Sequence, residues 1–351
     1  MVDSNRHLAN LLPGPTGFTR RHFLAAAAAI TATATSGALA NRSGAQPVIL
    51  DTDIGDDIDD TWALLMLLRM PGLDLKLAVG DFGNAIYRAR LLAKLLDVTG
   101  RTDVPVGIGT GHADEPGQQS GWIGDYQLSD YPGVVHTDGV QAIIDTIKSS
   151  PEPVTLICLG PVPNIAEALR RDPSIASNAK IVGMYGSIYK GYLDSPEPAA
   201  EYNVRIDPQS LQTVFAAPWE CTITPLDTCG LVVLDGDNYR RLYLSEDPWL
   251  QMLMENYRVW LPGAPFVDPN QDTTRISTTL FDTVAVYLAA SEDLVDMQTL
   301  PLRVTDEGYT VIDPEAGRPV HCAVGWKDLE AYEHLLVDTL LGSATGILTR
   351  Q

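Results

Sequence analysis

Basic residues are few in this 351-residue chain: 24 Lys and Arg stand against 45 Asp and Glu, a formal net charge of −21. That shortage argues against nucleic acid as a partner, because binding a polyanion needs clustered cations that release its counterions. It argues equally against an anionic membrane surface. Cysteine is scarce too. Cys158, Cys221, Cys229 and Cys322 stand alone, with no Cys-x-x-Cys and no Cys/His cluster, so no zinc site is expected. Cys158 lies in an apolar run and reads as a buried thiol, while Cys221 and Cys229 are close enough to bridge. Sequence leaves three full pairings open. Internal repeats and composition breaks are absent beyond residue 40, so one domain over 41–351 is expected. What is abundant is apolar surface: 45% hydrophobic residues, enough to bury a core and exclude general disorder.

The first 40 residues are set apart from the fold. Thr19-Arg20-Arg21-His22-Phe23-Leu24 precedes an Ala/Thr-rich apolar run that ends at Ala38-Leu39-Ala40. The paired Arg, the following Phe-Leu and the weakly hydrophobic stretch resemble a twin-arginine export signal, with Ala38-x-Ala40 as its cleavage site. The run lacks the polar face of an amphipathic surface helix and is short for a membrane anchor. The resemblance implies an exported protein, periplasmic or extracellular, with no membrane attachment after processing. Loss of Arg6, Arg20, Arg21 and Asp3 would take the charge from −21 to −23.

From residue 47 onward, short apolar runs alternate with amphipathic stretches. Strands are expected at 47–51, 75–80, 104–109, 154–159, 180–184 and 221–225, several of them apolar on both faces. Helical patterns fall at 60–70, 88–99, 139–149 and 164–170. Residues 246–294 read as mainly helical around a Pro/Gly/Asp-rich loop at 261–272. The alternation predicts an α/β fold: a Rossmann-like, open, mostly parallel sheet with helices on both faces. Such sheets bind ligands beyond the carboxyl ends of their strands.

The first strand runs directly into Asp51-Thr52-Asp53-Ile54-Gly55-Asp56-Asp57-Ile58-Asp59-Asp60, ahead of the helical run that begins Thr61-Trp62-Ala63. A helix N-terminus can absorb Asp59 and Asp60. It does not account for Asp51 and Asp53, which converge on the same crevice. Carboxylates this close share a proton or bind a cation, and all-oxygen ligation suits calcium or magnesium. An EF-hand is excluded, because Gly55 comes one position early and Trp62 stands where the bidentate Glu belongs.

These residues resemble the opening motif of the inosine–uridine-preferring nucleoside hydrolase family, Asp-x-Asp-x-Gly-x-Asp-Asp. Here it is longer by two residues between Gly55 and Asp59-Asp60. Four further segments follow in the family's order: Gly83-Asn84; Leu159-Gly160-Pro161-Val162-Pro163-Asn164; Ala200-Glu201-Tyr202-Asn203 with Asp207-Pro208; and Phe281-Asp282-Thr283-Val284-Ala285. The resemblance implies Ca2+-dependent hydrolysis of the N-glycosidic bond of ribonucleosides to ribose and free base. By the same resemblance, Asp53, Asp60, Asp282 and the Leu159 carbonyl hold calcium. Asp53 is also the base for the attacking water. Asp59, Asn84, Glu201 and Asn203 grip the ribose. Apart from the resemblance, the aromatic Tyr202 is a candidate to stack on the ring. A homo-oligomer, dimer or tetramer, is likewise an expectation from the resemblance.

One position departs from the family. Its best-known members carry His before the last calcium-ligand Asp as proton donor to the leaving base, and Phe281 cannot donate a proton. His112, His136, His321 and His334 sit in no motif that places them at the base. Tyr185, Tyr189, Tyr257, Trp260 and Arg275 are the alternatives. Two other readings stay open: an exported nucleoside-binding module without turnover, and a haloacid-dehalogenase-like phosphatase, which also begins with a strand and Asp-x-Asp. The phosphatase scheme has no place for the Leu159-Gly160-Pro161 and Glu201-Tyr202-Asn203 segments.

Overall fold

A computed structural model describes residues 44–111, 116–264, 267 and 271–343. The export signal expected at 1–40, and His112, lie outside them. One ten-stranded sheet organises the described residues, with strand order β4-β3-β2-β1-β5-β6-β7-β10-β8-β9. The six expected strands all form: β1 (Gln46–Thr52), β2 (Leu73–Gly80), β3 (Val106–Ile108), β5 (Val154–Cys158), β6 (Ala179–Met184) and β7 (Cys221–Thr224). Between β3 and β5 a two-residue strand, β4 (Val135–His136), pairs parallel with β3. Every pairing from β4 to β7, and that of β7 with β10 (Arg318–Trp326), is parallel. Only β8 (Val295–Val304) runs against the others, pairing antiparallel with β10 on one side and with the edge strand β9 (Thr310–Ile312) on the other. The mostly parallel reading therefore holds, while these last three strands were not anticipated.

Helices cover both faces because alternate strand residues point opposite ways. On β1, Val48 and Leu50 enter one core with helix α1 (Asp59–Arg69) and helix α2 (Ala85–Val98). Ile49 enters the other, with helix α3 (Gly139–Ser149) and helix α4 (Pro163–Arg171). All four cysteines are buried free thiols, so the Cys221–Cys229 bridge does not form.

The strand order reverses between β1 and β5: β2 to β4 extend one way from β1, and β5 to β7 the other. Adjacent strands whose connections leave in opposite directions open a crevice at their carboxyl ends. The Leu159 amide donates to the Asp51 carbonyl at 2.9 Å, continuing the ladder to the rim of that crevice. The acid-rich segment and the Leu159-Gly160 turn thus meet at the topological switch point.

Candidate active site

β1 delivers Asp51 and Asp53 into the crevice, and the loop after it turns back into α1. Ile58 is the N-cap of α1 and makes no side-chain cap bond. Asp59 and Asp60 therefore occupy the first helical positions without capping, and are only 3% and 2% exposed. Their partners lie elsewhere. The Thr52 hydroxyl donates to Asp60 Oδ1. The Asp282 amide, in the first turn of helix α5 (Phe281–Leu288), donates to Asp59 Oδ2 at 3.2 Å. Asp59, Asp60 and Asp282 each offer an oxygen, all within 4.8 Å of one another.

Asp53 is not one of this trio, but it lies close enough to feel the Asp60 charge. It packs so tightly on the Leu159-Gly160 turn that a Cβ on Gly160 would stand 2.7 Å from its Cγ and 2.8 Å from Oδ1. Burial, reinforced by the charge of Asp60, raises the Asp53 carboxyl well above the carboxylate range. Burial also raises Asp59 and Asp282, with neighbouring aspartates adding to it, and pushes Asp60 up to about 7. Four buried carboxyls that resist ionising together would be relieved by a bound cation. Their all-oxygen donors fit a hard divalent cation.

The residues expected at the ribose are each held by hydrogen bonds of their own. Glu201, 1% exposed, receives the amides of Asn203 at 2.7 Å, Gly186 at 3.1 Å and Val204 at 3.3 Å. Burial nevertheless pushes its carboxyl up to about 7. Asn203 Nδ2 donates to the Leu159 carbonyl at 2.7 Å and the Met184 carbonyl at 3.1 Å. A carbonyl has two lone pairs, so Leu159 keeps one for a cation. Asn84 Oδ1 caps α2 by accepting the Tyr87 amide at 2.9 Å. The half-buried Tyr202 ring lies 5.7 Å from the Arg205 guanidinium.

Residues 48–333 match the sequence profile of the family described as inosine-uridine preferring nucleoside hydrolase. The chain belongs to that family. It is accordingly a hydrolase acting on the N-glycosidic bond of ribonucleosides. Among curated relatives, the pyrimidine-specific ribonucleoside hydrolase RihA of Shigella flexneri is 28% identical over 317 residues, covering 84% of this chain and 98% of its own. RihA of Citrobacter koseri is 28% identical over 261 residues, 68% of this chain and 82% of its own. Among solved structures, a plant nucleoside hydrolase aligns with a TM-score of 0.70 at 23% identity, covering 84% of this chain and 99% of that one. A purine-preferring ribonucleoside hydrolase from Gardnerella vaginalis aligns with a TM-score of 0.67, also at 23%, over 85% of this chain and 99% of its own. At that identity the structural likeness speaks for the fold.

Against the family pattern, Phe281 is half-buried and meets the Tyr192 ring edge-on, with centroids 6.3 Å apart and planes at 80°. The Tyr192 hydroxyl accepts the Tyr202 amide at 2.8 Å. Most of the alternative donors for the leaving base are committed elsewhere. Tyr185 donates to the Gly160 carbonyl at 2.9 Å and Trp260 Nε1 to the Asp56 carbonyl at 2.9 Å. The exposed Tyr189 points its hydroxyl at Gln298, whereas Tyr257 OH accepts the Thr278 amide at 2.6 Å and keeps its own proton. His136 lies on β4, His321 pairs with Glu292, and His334 belongs to the helix Leu329–Leu340.

Sequence reasoning missed two members of the cluster, Asp81 and Arg88. Asp81 follows β2, is fully buried, and neither carboxyl oxygen has a hydrogen-bond partner in the protein. Burial and the nearby charge of Asp51 hold its carboxyl well above the usual range. Asp51 is tied through Oδ1 to Asn164 Nδ2 at 2.7 Å, and the same amide's oxygen receives the Thr110 amide at 2.7 Å. Asn164 therefore links the ends of β1 and β3 and is more than a helix-start residue. Arg88 is 2% exposed and lies among these acids.

Proposed function

We propose that the enzyme is a calcium-dependent ribonucleoside hydrolase in which Asp53 is the general base. What carries this reading is the convergence of Asp59, Asp60 and Asp282 oxygens within 4.8 Å beside the buried Asp53. Asp53, Asp60, Asp282 and the Leu159 carbonyl would hold the ion. Calcium, when bound, supplies the positive charge that lets these carboxylates ionise together and makes a neighbouring water more acidic. Asp53 then accepts the proton of the attacking water as the C–N bond to the base breaks. The transition state is oxocarbenium-like, so hydrogen bonds that position the sugar hydroxyls add directly to the rate. Carboxylates and amides suit that task, and Asp59, Asn84, Glu201 and Asn203 are assigned to it, with Tyr202 at the ring.

Purine and pyrimidine nucleosides are both substrate candidates, since relatives of each preference align over most of the chain. The Arg20-Arg21 leader supports action outside the cytoplasm, and N-terminal sequencing of exported material should begin after Ala40. The deciding experiment incubates purified protein and calcium with a nucleoside panel and measures free base and reducing sugar. Release that Asp53→Ala abolishes supports hydrolysis. Tight nucleoside binding without release would instead favour a binding module, the reading that Phe281 motivates.

A further inference from the structure

The family motif is longer here by two residues, and that extra length creates a problem. A loop between the Asp53 base and the α1 acids must be rigid for those acids to keep their places. The carbonyls of residues 53–56 are each held by a side chain from outside the loop. Arg88 Nη1 donates to the Asp53 carbonyl and, at 3.0 Å, to that of Ile54. Tyr87 OH donates to the Gly55 carbonyl at 3.1 Å, and Trp260 Nε1 to that of Asp56. Arg88 Nη2 also pairs with Asp56 Oδ2 at 2.9 Å. At the other edge of the guanidinium, Nε donates to the Phe82 carbonyl at 2.7 Å. Phe82 has φ 35°, a left-handed conformation that a bulky residue adopts only when its surroundings impose it. Arg88 thus joins the loop carrying Asp53 to the turn carrying Asn84.

We propose that Arg88 is a positioning residue for the hydrolysis: its planar fork locks the extended acid loop against the Phe82–Asn84 turn and so aims Asp53. The role acts through Asp53, with no contact to substrate required. It rests on the reading of Asp53 as the base. Lysine cannot replace the fork, because an ammonium is a point donor and cannot span carbonyls on two loops at once.

The test uses the full calcium-loaded enzyme and its Arg88→Lys, Arg88→Met and Arg88→Ala variants, with inosine and uridine as probes. A displacement of about 1 Å at the reacting groups lowers kcat on the order of 100-fold, and that fall is expected in Arg88→Lys with KM changed less than threefold. Methylguanidinium should restore Arg88→Ala at least tenfold, and methylammonium should not. Hydrogen exchange should show the amides of residues 54–58 protected in the wild type and faster in Arg88→Lys. A folded Arg88→Lys enzyme with kcat within threefold of wild type overturns the proposal. If no variant folds, unprotected 54–58 amides in the wild type overturn it, and protected ones support it. Wild-type hydrolysis of the two nucleosides tests the underlying reading separately, since the exchange measurement needs no turnover.

Discussion

Replacing Gly160 by alanine is the smallest change that should disable the enzyme while leaving every polar site residue in place. Gly160 does not lie in the left-handed region, so alanine carries no backbone penalty there. The new methyl would instead stand 2.7 Å from both Cβ and Cγ of Asp53. Ordinary van der Waals contact begins near 3.4 Å, so Asp53 must withdraw by about 0.7 Å. It has little room to do so, because Arg88 holds its carbonyl and the side chain is buried. Overpacking of this kind costs about 1–3 kcal/mol, which a thermal or urea melt resolves. The functional loss should be larger in proportion, about 100-fold in kcat, since sub-ångström placement of a base governs proton transfer. The assay is reducing-sugar release from inosine and uridine, with the calcium affinity of each protein measured alongside. A stable Gly160→Ala enzyme with kcat within threefold of wild type would refute the placement of Asp53 against the Leu159-Gly160 turn.

Metal analysis should find about one calcium per chain, the number one such carboxylate cage holds, and chelation should abolish turnover. Asp282→Asn should weaken calcium at least tenfold by titration calorimetry; unchanged affinity would remove Asp282 from the site. Asp59→Asn should lower kcat/KM for nucleosides about 100-fold, the scale of a lost transition-state contact, while calcium affinity changes less than threefold. A large loss of calcium affinity would move Asp59 from the sugar to the ion, as its membership of the carboxylate trio allows. In the ion-free protein, burial holds Asp60 and Glu201 at about 7 against ordinary values of 3.8 and 4.5. Native protein then keeps protons that the unfolded chain has lost, so ion-free stability should fall as pH rises from about 4 through about 7. Urea midpoints that stay flat or rise over that range would refute this, and saturating calcium should offset the fall because its ligands bind deprotonated.

The parallel half of the sheet was legible because fully covered strands are apolar on both faces and stand out as short runs. Strands β8 to β10 were not, since one face is exposed and Pro301 and Pro319 interrupt the pattern. The acids of the Asp51–Asp60 segment were legible by density alone. Arg88 was hidden by its company in an amphipathic stretch, although its spacing offered a signal. Residues three, four and seven positions on, Leu91, Leu92 and Leu95, are all fully buried, so an arginine on that face must have an internal partner. Asp81 was equally within reach, as the residue at the carboxyl end of a parallel strand. The roles of Asn164 and Asn203 as ties between strand ends could not be read, because amide pairing depends on contacts across 113 and 44 residues of sequence.

The substitution at residue 281 has a consequence for the leaving group. On the water side, Asp59, Asp60, Glu201 and Asn203 are each tied to neighbours. At residue 281 the Phe ring meets the Tyr192 ring edge-on, and the Tyr185 and Trp260 hydrogens are spent on backbone carbonyls. Phe281 itself has no proton to give, and the Tyr192 hydroxyl beside it accepts the Tyr202 amide and keeps its own proton. A leaving base that gains no proton from the enzyme must depart with its negative charge, so the rate should follow the base's own acidity. A nitrophenyl riboside, whose leaving group is a stable anion, should therefore be cleaved at least 100-fold faster than inosine or uridine, a gap of the size general acid catalysis supplies. Asp53→Ala should abolish all three reactions alike. Equal kcat/KM for the nitrophenyl riboside and the natural nucleosides would show that a proton donor acts on the base after all.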